Sequence, residues 1–317
     1  MTPPAESTSS AASTAVRAGR LRNWRGALPA CVLLLLPFGA NAACPLPPGA
    51  KAVRVAYVID GDTVILVGGE RVRLIGIDAP EIGHEGTPDM PYGRAAKDAL
   101  RRAISRSGWS VRIAPGRERL DRHDRELANL YDRSGQNLSE QLLRLGLAYP
   151  ITVPPNDRFQ RCYAAAAADA KSHIRGLWSV PPVEATALRP DAEGFMRLVG
   201  RVQKVRFGRR AIWIDLAGPL KLRIAAEDQG RFDPAYLSGL TGARVEVLGW
   251  VYHYRHQPRI RLRDPSALRR VALDEKYSRT TFGFPIHPAI RDNSSRLGEG
   301  SASASLGEAM ALPAGLL

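Results

Sequence analysis

Residues 53–81 read VRVAYVIDGDTVILVGGERVRLIGIDAPE. Three runs rich in β-branched residues, Val53–Val58, Thr63–Val67 and Arg71–Ile77, are separated by Asp60-Gly61-Asp62 and by Gly68-Gly69. Such residues suit a pleated, half-buried surface, and Asp-Gly and Gly-Gly pairs reach the backbone conformations of tight hairpins. The pattern predicts a three-stranded meander. Downstream the period changes. Ala96, Ala99, Leu100, Ala103 and Ile104 form an apolar stripe at helical spacing, which predicts a helix over residues 93–106. Trp109–Ile113 and Glu126–Tyr131 return to strand character. Asn137, with Glu140 three residues on, reads as a capping box before Leu138, Leu142 and Leu145. An Ala-rich helix is expected over residues 157–175, ended by Gly176. Five short strands with interleaved helices predict an α+β domain over residues 51–179: a mainly β, OB-type five-stranded barrel with helices packed on it.

The same stretch concentrates charge. Asp60, Asp62, Asp78 and Glu81 lie close in sequence, with Arg73 among them. Asp62 follows a tight turn and Asp78 ends a strand, so neighbouring strand ends can bring the carboxylates together. Clustered oxygen donors suit a hard cation such as Ca²⁺ or Mg²⁺, which also relieves their mutual repulsion. Taken alone, Asp-Gly-Asp reads equally well as a solvated turn, Arg73 as a surface residue, and Arg125 as an ion-pair partner of Asp121 or Asp124.

Read whole, the order and spacing are more specific. Val58–Thr63, Arg71–Glu81 and Asp121–Tyr131, followed by Leu145-Gly146-Leu147-Ala148 and Gly176-Leu177-Trp178, resemble the staphylococcal nuclease (thermonuclease) family over about residues 53–179. The resemblance implies an OB-type nuclease hydrolysing phosphodiester bonds of DNA and RNA, with one Ca²⁺ and 3′-phosphate products. It implies Asp62, Asp78 and the backbone carbonyl of Ala79 as calcium ligands, and Glu81 as general base or water-orienting carboxylate. Arg73 and Arg125 would bind the scissile phosphate, and Asp60 would support the metal site. Arginine suits that task because its planar fork of donors matches two phosphoryl oxygens. The alternative is a non-catalytic nucleic-acid-binding protein of the same fold. The family's nucleotide-contacting aromatics have no obvious counterparts here; His123 and Thr152 fall near two of those places, and Tyr149 or Tyr92 is a candidate stacking platform.

Beyond this domain, residues 180–193 carry three prolines and read as a linker. A second strand-rich region, residues 194–272, predicts another small barrel, OB-like or SH3-like, with a helix over Asp228–Leu240. Lys204, Arg206, Arg209 and Arg210 cluster early in it, and Arg255, Arg259, Arg261 and Arg263 late. Trp213, Trp250, Tyr252 and Tyr254 lie between them. A basic groove with stacking aromatics would hold nucleic acid, which makes Arg206, Arg210, Trp250, Arg259, Arg261 and Tyr149 candidate contacts. A tail over residues 281–317 has the composition of a disordered segment.

At the other end, residues 1–43 have the form of a signal peptide. Arg17, Arg20, Arg22 and Arg25 precede an apolar run, Ala27–Phe38, and Ala40-Asn41-Ala42 supplies the small residues of a cleavage site. The run is shorter than the roughly 20 residues a bilayer span needs, so no stable anchor is expected after cleavage. The chain is therefore expected to be exported, periplasmic or secreted. Export leaves Cys44 and Cys162, either paired as a disulfide or as two free thiols. The net charge of +14 favours a polyanionic partner. No obligate protein partner is implied.

Overall fold

The computed structural model describes residues 44–83 and 88–271. The signal-like segment and the tail lie outside them, as does the apolar run Ala27–Phe38. Among the described residues no helix is long and apolar enough to cross a membrane.

The meander forms as β1 (Lys51–Val58), β2 (Thr63–Leu66) and β3 (Arg71–Leu74), each antiparallel to the next. The third run does not continue to Ile77 as one strand. It breaks at Ile75-Gly76, where Gly76 has φ +84°, and resumes as β4 (Ile77–Asp78). A Cβ at Gly76 would collide with the ring of Tyr163. Only glycine satisfies both the positive φ and that close approach.

Helix α1 (Gly93–Arg106) follows and buries the predicted stripe of Ala96, Ala99, Leu100, Ala103 and Ile104. Then come β5 (Ser110–Leu120), β6 (Glu126–Tyr131), α2 (Leu138–Arg144), β7 (Tyr149–Pro150) and α3 (Gln160–Ser172). The strand order β1-β2-β3-β6-β5 closes into a barrel, with β3 and β6 parallel. Val55, Val64, Val72, Leu74, Val111 and Leu130 are buried in its core.

Asn137 caps α2, accepting from the Glu140 N–H at 3.0 Å. The other half of the predicted box does not form. The Glu140 carboxylate instead accepts from the Cys44 N–H at 3.1 Å and from Arg144. Cys44 and Cys162 are joined as a disulfide, with Cα atoms 5.7 Å apart.

The second barrel follows β8 (Val183–Glu184). It is built from β9 (Gly194–Arg206), β10 (Ala211–Leu216), β11 (Lys221–Ala225), β12 (Arg244–Tyr254) and β13 (Gln257–Arg261); β14 (Leu268–Arg270) adds to β12. The order β9-β10-β11-β13-β12 closes through a β12–β9 pairing, and β11 runs parallel to β13. This is the strand order of the first barrel, so of the two architectures expected here the OB-like one is present. Two expectations are corrected. The linker is partly structure: β8 pairs with β9, and Ala185 and Leu188 are buried, because apolar residues between the prolines give the segment a face to bury. The helix over Asp228–Leu240 is a 3₁₀ turn (Ala226–Arg231) and a short α4 (Pro234–Ser238) capped by Asp233. Pro234 cannot sit inside a helix but is well suited to begin one.

The two barrels pack together. The Tyr149 ring stacks on Phe195 at 5.7 Å and meets Trp178 edge-on at 5.5 Å. Beside them Glu246 on β12 accepts hydrogen bonds from Lys171 on α3, Arg197 on β9 (2.7 Å) and Arg269 on β14 (3.1 Å). Burial pushes the Glu246 carboxyl up, but Lys171 and Arg197 outweigh it and hold the carboxyl at about 2. A depressed carboxylate stabilises the fold above its ordinary 4.5, and that contribution is lost as pH falls from there towards 2. Glu246→Gln leaves three cations without their shared anion. It is expected to cost about 3 kcal/mol at pH 7, with the deficit shrinking below pH 4, as read by urea unfolding at the two pH values.

Candidate active site

The turn between β1 and β2 positions the first acid. The Asp60 carboxylate accepts from the Asp62 N–H at 2.9 Å, and the Ile59 N–H donates to the Thr63 carbonyl at 2.9 Å. A Cβ on Gly61 would lie 2.6 Å from the Cβ atoms of both Ala79 and Ala96, so glycine lets the turn press against α1 and the β4 exit. Gly93 does the same nearby, where a Cβ would lie 2.7 Å from the Glu81 carbonyl oxygen.

Asp62 is 1% exposed. Its carboxylate accepts from the Thr63 hydroxyl at 3.0 Å, from the Ala79 N–H at 2.7 Å and from Arg73. Arg73 projects from β3, directly opposite Thr63, and its other terminal nitrogen donates to Asp78 at 2.8 Å. One guanidinium therefore clamps two carboxylates. Asp78 is carried there by the break at Gly76: β4 leaves the barrel and pairs with β7, placing Asp78 opposite Tyr149.

Electrostatically the site is strained toward neutrality. Burial raises the Asp62 carboxyl well above the carboxylate range, against the pull of Arg73. Burial likewise lifts Asp78 to about 6, opposed by Arg73 and reinforced by Asp60. Burial alone would lower the Arg73 guanidinium, yet Asp62, Asp78, Asp60 and Glu81 together raise it. Glu81 stands exposed at the rim. Partial desolvation, then the Asp60 and Asp78 charges, push its carboxyl up. Arg125 ends the β5–β6 loop, held by Asp121 at 2.7 Å, and its charge reaches both Asp78 and Glu81. Asp121 is itself lowered: burial raises it, but the N–H groups of Arg125 and His123 and the Arg125 side chain outweigh that.

These residues fit a hard cation. The buried Asp62 and the half-buried Asp78 share a single guanidinium, and desolvation disfavours their charged forms, which a divalent cation would stabilise. Among the described residues no third Cys, His or carboxylate side chain converges on them at ligand distance, so further donors would be backbone carbonyls or water.

Comparison with known proteins bears on this geometry. Residues 71–180 match the family model described as staphylococcal nuclease homologue. The chain is 35% identical to a thermonuclease of Staphylococcus intermedius over 157 residues, spanning 47% of this chain and 91% of that one. The chain belongs to the staphylococcal nuclease family. A thermonuclease of Staphylococcus hyicus is 32% identical over 132 residues, 41% of this chain and 76% of the relative. An uncharacterized endonuclease of Escherichia coli O157:H7 is 30% identical over 136 residues, 41% and 80% respectively.

Not every predicted contact of this family member lies where expected. Tyr149 is packed between Trp178 and Phe195, so it binds the barrels together rather than offering a stacking face. Tyr92, 38% exposed, pairs its hydroxyl with that of Ser179 at 3.0 Å. Arg261 is neutralised by Asp228 (2.7 Å) and Glu227 (2.8 Å), carboxylates on the 3₁₀ turn that sequence spacing did not place near it. Trp250 is 43% exposed, with Phe195 against its edge. Arg206 is exposed and paired with Asp215 at 2.9 Å; Arg210 is exposed. Arg259 lies over the rings of Trp213 and Tyr254 at 4.9 and 4.4 Å. Sequence reasoning missed Thr63 and valued Asp121 only as a bland ion-pair partner. The four-residue spacing of Asp121 and Arg125 across a tight turn was the available signal.

Proposed function

We propose that the first barrel is a Ca²⁺-dependent phosphodiesterase that cuts DNA and RNA, leaving 3′-phosphate ends. The observation that carries this is one guanidinium, Arg73, clamping the buried Asp62 and the half-buried Asp78 beside a rim holding Glu81 and Arg125. Asp62, Asp78 and the Ala79 carbonyl would hold the cation, which when bound supplies Lewis-acid polarisation of a phosphoryl oxygen.

The chain's own residues do the rest. Glu81, exposed and raised, accepts the proton of an attacking water or orients it. With Asp62 and Asp78 engaged by a cation, the Arg73 fork would turn its donors to the phosphoryl oxygens, and Arg125 would add its remaining donor as negative charge builds on them. Asp121 holds Arg125 in place through the arginine's Nε and one terminal nitrogen. Asp60 shapes the turn that presents Asp62.

Export belongs to the same proposal: the protein acts outside the cytoplasm, periplasmic or secreted. The Arg-rich and apolar segment before Cys44 and the Cys44–Cys162 disulfide support it.

The test is cation removal. Purified protein incubated with plasmid DNA and with RNA is expected to cleave both in millimolar Ca²⁺ and neither in EDTA, as read on gels. Undiminished cleavage in EDTA removes the metal from the mechanism. No cleavage in either condition leaves the non-catalytic binding alternative.

A further inference from the structure

The outer face of the second barrel plays no part in that reaction. Directly opposed residues on neighbouring strands project from the same side of a sheet. Trp213 on β10 lies opposite Arg206 on β9 and Arg223 on β11. One row along, Arg259 on β13 lies between Lys221 on β11 and Tyr252 on β12. The alternating residues Ile212, Ile214, Leu222, Ile224 and Ile260 are buried inside the barrel, so these rows point outward.

Two loops extend this face. Phe207-Gly208-Arg209-Arg210 joins β9 to β10 and, with Arg206, Trp213 and Arg223, lines a cleft of about 540 Å³. Arg255-His256, both at positive φ, turns β12 into β13. From there a continuous ladder runs across the sheet: Arg255 over Tyr254, then Arg259 over both Tyr254 and Trp213.

Three features of this face point to one kind of ligand. Among the described residues, no carboxylate lies at ion-pair distance from Arg209, Arg210, Arg223 or Arg259, and the Nε of Arg259 has no hydrogen-bond partner. Phe207 and Tyr254 are 52% and 50% exposed beside those cations. In an OB-type barrel the face of the second and third strands and these two loops form the concave surface able to cradle an extended chain. Guanidinium groups with no directly paired carboxylate suit backbone phosphates, and exposed rings suit the faces of unpaired bases, which a duplex hides.

We propose that the β10–β11 face of the second barrel binds single-stranded nucleic acid, with phosphates on Arg209, Arg210 and Arg223 and bases on Phe207 and Tyr254. The proposal concerns binding alone and does not depend on the cleavage mechanism of the first barrel.

The test uses the full chain carrying Glu81→Gln, in EDTA, with fluorescein-labelled (dT)₂₀ followed by anisotropy. The double variant Arg209→Glu/Arg210→Glu is expected to weaken binding at least tenfold at 50 mM salt. It should also flatten the dependence of log K on log salt by about 1.4, because two phosphates then keep their counterions. Tyr254→Ser is expected to weaken (dT)₂₀ about tenfold and leave a 20-base-pair duplex unaffected. All the substituted residues are exposed, and equal unfolding midpoints confirm intact folds. Parental affinity in both variants overturns the proposal. Equal losses for duplex, for a sulfated polysaccharide and for anionic vesicles overturn it too, because the face would then be an unspecific cationic patch. Rates on bis-p-nitrophenyl phosphate, measured with Glu81 intact, should be unchanged by either variant, which separates this test from failure of the nuclease reading.

Discussion

Protein carrying Glu81→Gln is expected to cleave plasmid DNA about 10²–10⁴-fold more slowly than the parent, with an unchanged unfolding midpoint. Glu81 is exposed at the rim, so the amide replaces it without disturbing the core. Glutamine keeps the shape and can still hydrogen-bond to water, but it cannot accept a proton. The pH profile gives a second readout. Partial desolvation and the charges of Asp60 and Asp78 raise the Glu81 carboxyl above its ordinary 4.5. The working form is deprotonated, so the parent's rate falls as pH drops through that raised value, and the acid limb lies above pH 4.5. In Glu81→Gln the part of the limb due to this carboxyl disappears. A variant as fast as the parent at pH 8 would remove Glu81 from the proton transfer and leave the arginines and the cation as the whole of catalysis.

The second large effect is on stability. The Cys44–Cys162 bridge closes a loop with a sequence separation of 118, and cross-linking a loop of about 100 residues restricts the unfolded chain by roughly 4–5 kcal/mol. Cys162→Ser is expected to lose about 4 kcal/mol and to lower the unfolding midpoint by roughly 10 °C. Cys44→Ser should do the same, and the double variant no more, because either change opens the same loop. Dithiothreitol should bring the parent down to the level of the variants. The native end of the bridge is well seated: the Cys44 N–H donates to Glu140, and the Tyr131 hydroxyl donates to the Pro45 carbonyl at 3.1 Å. A single variant within about 1 kcal/mol of the parent would mean that these hydrogen bonds hold the N-terminal segment without the crosslink.

Much of the candidate site was legible because its parts are local. Asp60-Gly61-Asp62 is a turn by composition, Arg73 lies on the strand that the next hairpin folds back beside it, and the stripe in 93–106 marks the helix behind them. Periodicity and turn chemistry report which side of its own element a residue faces, and those sides are what assemble the barrel and its acid cluster. Patterning gave the hairpin meander of the first three strands, whereas the closing order of each barrel, and the choice of an OB-like over an SH3-like second barrel, came from the strand pairings.

What lay beyond the sequence depended on which elements dock. Gly76 breaks β3 because the ring of Tyr163, 87 residues later, occupies the space a Cβ would need, and that break moves Asp78 onto a separate strand pair. The Glu140 carboxylate turns from its own cap to the Cys44 N–H. Tyr149 was available for stacking until Phe195 of the other barrel covered it. Arg261 looked like its neighbour Arg259, yet Asp228 neutralises one while Trp213 and Tyr254 hold the other without a carboxylate. Phe207 and Arg223 lie on different elements and became one cleft only when β9, β10 and β11 paired. The sequence by itself determined the family, the two barrels and the acids and arginines of the first. The tertiary structure decided which charges are neutralised and which rings are covered, because both depend on partners brought from distant segments.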